Sequence, residues 1–147
     1  MSRILPIVIL LVLGMLGCKS VKPSEMVGTW VVNDASRAVL PIDLQKSTTK
    51  VVLEANGAFS ASDVPGLFFF PGIRDSRTES GSGVWKLVSR EGKEQVQLDF
   101  HAIADWTATD LPYGTQLEVS RGWSGVSLFY FLGDPDDRRR IELAKQP

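Results

Sequence analysis

Few side chains in this chain are equipped for chemistry. Its 147 residues hold one cysteine, Cys18, and one histidine, His101. His101 is the only side chain whose unperturbed pKa lies near neutrality, so general-base catalysis at physiological pH would run through it. A hydrolytic triad would also need an activated hydroxyl and an orienting carboxylate, and no Gly-x-Ser-x-Gly elbow is present. Parity along its strand groups His101 with Gln95, Gln97 and Asp99, opposite Phe100, which predicts a solvated residue. Asp134, Asp136 and Asp137 cluster as a hard cation would require, but the twelve-residue loop with a terminal Glu is missing. They predict a polar turn beside Arg138, Arg139 and Arg140. Nothing marks a glycosidase-type carboxylate pair. The expectation is a protein without enzymatic activity, metal or cofactor.

Cys18 carries a different chemistry. A single thiol forms no internal bridge, although the segment before it directs the chain to a compartment where disulfides are available. Arg3 precedes an uncharged run from Ile4 to Gly17, too short to span a bilayer and of the length of a signal-peptide core. Met15-Leu16-Gly17-Cys18 resembles a bacterial lipobox, in which the thiol accepts a diacylglyceryl group and becomes the new N-terminus. Gly17 and Cys18 follow that pattern; Met15 and Leu16 depart from the Leu and small residue usual there. The resemblance implies a signal peptide over residues 1–17 and a lipid anchor (palmitate-like chains) at Cys18. Two or three acyl chains at about 0.8 kcal/mol per buried CH₂ hold durably, where one does not. Lys19 in place of Asp implies an outer-membrane destination, facing the periplasm. An ordinary signal peptide with a free thiol is the alternative.

The third unusual segment is Pro65-Gly66-Leu67-Phe68-Phe69-Phe70-Pro71-Gly72. Three adjacent aromatics cannot all point inward on one strand, so at least one must meet a loop, a ligand, a partner or lipid. The segment lies in a connection of about twenty residues between Ser62 and Gly83, longer than a hairpin needs. Leu67, Phe68, Phe69 and Phe70, with Trp106, Tyr113 and Trp123 from other loops, are the candidate ligand-binding residues. The plain alternative is that Phe68 and Phe70 plug the core.

The elements that would position these groups are mostly strands. Val51, Leu53 and Ala55 alternate with polar neighbours, as do Trp85 and Leu87, then Val96, Leu98 and Phe100, Leu117 and Val119, and Ile141 and Leu143. A period of two marks half-buried strands. Asn56-Gly57 is the strongest turn signal, suited to a two-residue turn with positive φ at both positions. Gly92, Gly122 to Gly125 and Gly133 to Asp137 supply three more reversals. Strands are expected near 28–32, 49–55, 57–62, 83–89, 94–101, 115–120, 125–132 and 138–144. Gly28-Thr29-Trp30 is echoed at Gly83-Val84-Trp85. One short helix is expected after the first strand, capped by Asn33 or Asp34 and closed by Pro41. Lys19 to Glu25 reads as a tether of at most ~25 Å. An alternating meander hides its apolar face and removes its edges by closing, so a small all-β, antiparallel up-and-down barrel over residues 26–147 is expected, with a sandwich as rival.

Met26-Val27-Gly28-Thr29-Trp30 resembles the Gly-x-Trp that opens the first strand of lipocalin-like, or calycin, barrels. The resemblance implies that Trp30 plugs the barrel base and that a basic residue of the last strand stacks on it, with Arg138, Arg139 and Arg140 as candidates. Residues 26–144 also resemble uncharacterised bacterial lipoproteins sharing this start, an Asn-Gly hairpin and a Gly-Asp-Pro-Asp turn. The family's Thr-Asp-Tyr-like turn and C-terminal helix are absent. Sixteen Lys and Arg against 17 Asp and Glu argue against a nucleic-acid partner, which demands a basic face. Loss of residues 1–17 removes only Arg3, leaving 15 − 17 = −2. The expected function is a membrane-tethered barrel binding a small hydrophobic or amphipathic ligand or an envelope component. A structural or protein-interaction lipoprotein with a filled barrel is the alternative.

Overall fold

A computed structural model describes residues 20–69, 77–104, 106 and 111–147. Eight antiparallel strands form a closed up-and-down barrel in sequence order. They are β1 (Gly28–Val32), β2 (Lys50–Leu53), β3 (Ala58–Pro65), β4 (Thr78–Arg90), β5 (Lys93–Ile103), β6 (Tyr113–Gly122), β7 (Gly125–Phe131) and β8 (Arg140–Lys145). Closure comes from β1 pairing with β8, Trp30 opposite Lys145 and Val32 opposite Leu143. Short helical turns accompany them: α1 (Pro23–Met26), α2 (Asp34–Arg37) and α3 (Gly66–Phe69). Asn33 caps α2, its side chain accepting from the Ser36 amide at 2.8 Å.

The alternating residues line the inside as their period requires. Val51, Leu53, Phe59, Val96, Leu98, Phe100, Leu117, Leu128, Ile141 and Leu143 form one buried cluster. Phe59 and Phe100 meet edge to face at 4.8 Å, the geometry aromatic quadrupoles favour. Two features of β4 make room for Phe100. A side chain at Gly81 would strike the Phe100 ring at 2.8 Å, and one at Gly83 would lie 2.0 Å from the Asp99 carbonyl oxygen. The β4–β5 register shifts between Ser82 and Gly83, so His101 is passed over between the pairs Gly83–Phe100 and Ser82–Ala102. This bulge leaves both His101 and Ala102 exposed before Ile103 returns inside.

Several sequence expectations need adjustment. The third and fourth strands extend to Pro65 and back from Thr78, so the connection carrying the Phe run spans only Gly66 to Arg77. A bulge at Ser62-Asp63, with Asp63 at φ 51°, breaks the alternation there and hides the extension. The turn with positive φ at both central residues is Glu91-Gly92 (54° and 76°), not Asn56-Gly57, where only Gly57 is positive. In the β2–β3 turn, Asn56 instead bends its side chain back to accept from the Ala58 amide at 2.8 Å. The expected tether is shorter too. Val21 and Met26 are buried in the core cluster, and the Val21 amide donates to both Glu94 carboxylate oxygens at 2.8 and 3.0 Å.

Candidate functional site

The up-and-down order gives the barrel two distinct ends. The entry into β1, the turns at residues 54–57, 91–92 and 123–124, and the end of β8 share one end, the base. Residues 33–49 and 132–139, the strand ends at Pro65, Thr78, Ile103 and Tyr113, and Trp106 share the other, the mouth.

At the base, α1 packs under the first strand and Met26 is wholly buried. The Trp30 indole is fully buried and donates to the Met26 carbonyl at 2.8 Å. Trp85, its counterpart in the sequence echo, donates to the Glu54 carbonyl at 2.9 Å. A buried indole needs a partner for its N–H, and both find one in backbone at this end. The cation over Trp30 is Lys145, its Nζ 5.8 Å from the ring centroid. The expectation of Arg138, Arg139 or Arg140 in that role is therefore corrected. β8 enters at the mouth and ends at the base, so the arginines that open it lie a strand's length from Trp30. Arg140 lies instead over Phe129 on the outer wall, 4.6 Å from its centroid. Glu25 ties α1 to the barrel through a 2.8 Å ion pair with Arg121. Its carboxyl is held below the usual range by a backbone hydrogen bond from Lys22 and then by Arg121.

At the mouth, Phe68 turns inward from α3 and is buried. It meets Tyr130 edge to face at 5.0 Å. Tyr130 points inside from β7, opposite Ile141 of β8. Among the described residues its hydroxyl is buried without a hydrogen-bond partner, and burial pushes its pKa up. Trp106 and Tyr113 form a second edge-to-face pair at 5.3 Å, both partly buried against the core. Burial also raises the Tyr113 pKa. Phe68, Trp106 and Tyr113 are thus gathered at one end. The Leu67 and Phe69 side chains and all of Phe70 lie outside the described residues. Trp123 does not join them: it sits in the β6–β7 turn at the base, fully exposed.

Among the described residues, the interior is occupied by the side chains named above, and grooves of several hundred Å³ lie outside it. One of about 640 Å³ runs past Ser20, Lys93, Glu118, Phe129 and Arg140. Another of about 790 Å³ passes Glu25, Arg121, Gly125 and Lys145. No group of three or more His, Cys, Asp or Glu side chains able to hold a metal occurs among the described residues. Asp134 caps the turn before β8, accepting from the Asp136 amide at 2.9 Å. Cys18 precedes the described residues.

Sequence reasoning passed over Tyr130, Lys145 and Glu94. Tyr130 carried a readable signal, since it shares inward parity with Leu128. Lys145 and Glu94 did not, because their partners lie far along the chain.

What the geometry defines is a class: a small closed eight-stranded antiparallel barrel, its base sealed by tryptophan and its mouth roofed by aromatics. Comparison with known families, characterised proteins and solved structures returns no match, so the barrel stands on its own geometry.

Proposed function

We propose that the protein is a lipocalin-like lipoprotein, held by acyl chains on Cys18 to the periplasmic face of the outer membrane, which takes a small amphipathic molecule at its mouth. The Tyr130 hydroxyl carries this reading. An unpaired buried hydroxyl costs roughly 1–3 kcal/mol, and a closed barrel could avoid that with Phe at this position. A ligand carbonyl or carboxylate accepting from Tyr130, with an apolar tail replacing Phe68, would recover the cost. Phe68 sits on a short turn outside the strands, where displacement disturbs no ladder. Trp106 and Tyr113 would widen the apolar rim.

A second reading has its own observation. The barrel below Tyr130 is filled by Trp30, Phe59, Phe100 and the leucines, which favours a structural or protein-docking lipoprotein. Thermal melts against fatty acids and lysophospholipids separate the two. Ligand at a hundred times its Kd should stabilise the fold by about 2.7 kcal/mol. Loss of one hydrogen bond in Tyr130→Phe should weaken that ligand about tenfold. No shift across the panel, together with no co-purified small molecule in a native mass spectrum, would leave the filled-barrel reading. For the anchor, Cys18→Ser should move the protein out of the membrane fraction, and unchanged fractionation would refute lipidation.

A further inference from the structure

We propose that the base of the barrel is a membrane-contact surface, with Trp123 seated in the headgroup layer of the bilayer that holds the anchor; this rests on the reading of Cys18 as lipidated. Three observations on the fold carry it. First, the described chain enters at the base. The Val21 amide is clamped by Glu94, the second residue of β5 next to the β4–β5 turn. Only two peptide units separate Ser20 from Cys18, a reach of at most about 7 Å. The clamp therefore brings lipid to this end of the barrel and turns the mouth away.

Second, Trp123 stands at the same end and is 109% exposed, by far the most exposed large apolar side chain among the described residues. Past the pair Gln95–Glu118, β6 continues to Gly122 while β5 begins at Lys93. The Trp123 turn accordingly reaches at least as far from the barrel as the β4–β5 turn. Gly122 and Ser124 border the groove that also holds Glu25, so the turn and the N-terminal clamp are neighbours. Third, an indole is wet at one edge and apolar at the other, which suits the headgroup boundary. Left in water it brings the fold little, since its surface is fully exposed. Lys22, Arg90, Lys93, Arg121 and Lys145 share this end with Glu25, Glu54, Glu91 and Glu94. Charge is nearly balanced, so contact depends on the indole and should be insensitive to salt.

The test uses the full lipidated protein in vesicles of phosphatidylethanolamine and phosphatidylglycerol, with lipid brominated near the headgroup as quencher. Wild-type tryptophan emission should be quenched, and Trp123→Phe should lose most of that quenching while remaining membrane-bound. Trp106→Phe, at the mouth, should keep it. Equal quenching in wild type and Trp123→Phe would overturn the proposal with the anchor reading intact, as would loss of quenching in Trp106→Phe alone. If Cys18→Ser stays in the membrane fraction, the anchor reading fails and the geometry argued from it fails too.

Discussion

Replacing Tyr130 with Phe removes one oxygen atom and keeps the ring that meets Phe68 at 5.0 Å. In wild type that oxygen is buried with no partner among the described residues, so it contributes desolvation cost and no bond. The substitution should therefore stabilise the ligand-free protein at pH 7 by about 1–2 kcal/mol, the lower part of the range for an unsatisfied buried hydroxyl. For a domain of this size, that raises Tm by roughly 3–8 °C. The pH dependence gives an independent check. Burial raises the native pKa of Tyr130 above the ordinary value of 10.0, whereas the unfolded chain loses this proton near 10. The native state then binds more protons than the unfolded one above that pH, and stability falls as pH rises. Below pH 10 both states are protonated and the term vanishes. At pH 11, one unit above the unfolded-state pKa, the loss through Tyr130 is about 1 kcal/mol. Tyr113, also raised, adds a share that the substitution leaves in place. Urea denaturation at pH 7 and pH 11 measures both effects. Tyr130→Phe should gain at pH 7 and lose less than wild type on going to pH 11. A destabilisation of more than 1 kcal/mol at pH 7, with an unchanged alkaline slope, would refute the reasoning by showing that the hydroxyl is bonded in solution.

Two further substitutions test the scaffold. Trp30→Ala empties the base beneath Met26 and Lys145 and should cost about 3–5 kcal/mol in denaturant melts; a loss under about 1 kcal/mol would mean the indole does not seal the base. Gly83→Ala would place a methyl 2.0 Å from the Asp99 carbonyl oxygen and should cost about 3 kcal/mol. Gly122→Ala, with nothing within 4 Å, should stay within about 0.5 kcal/mol, and equal effects at the two glycines would contradict the bulge.

The eight strands were legible because each is a local pattern. Alternation of apolar and polar residues marks a half-buried strand whatever its partner, and Asn33 announces its helix through a bond to Ser36 three residues on. The bulges were not legible. At Ser62-Asp63 and at His101 the backbone leaves its period to fit a neighbouring strand, and the neighbour is not a local property. The same holds for the turns, where Glu91 accepts positive φ because β4 and β5 hold it in place.

The candidate site divides in the same way. Sequence alone marked the aromatics as unusual by type and spacing, while Trp30 as a plug was implied only by the resemblance of Gly28-Thr29-Trp30 to a lipocalin-like first strand. Which aromatics belong together was decided by the topology. An up-and-down barrel sends alternate connections to opposite ends, so Trp106 and Tyr113 gather with Phe68 at the mouth while Trp123 goes to the base. It also decided that Lys145, at the end of β8, meets Trp30, and that Arg140, at its start, does not. A strand carries its two ends far apart. Side-chain chemistry could be read along the chain, but its grouping in space waited on closure of the sheet.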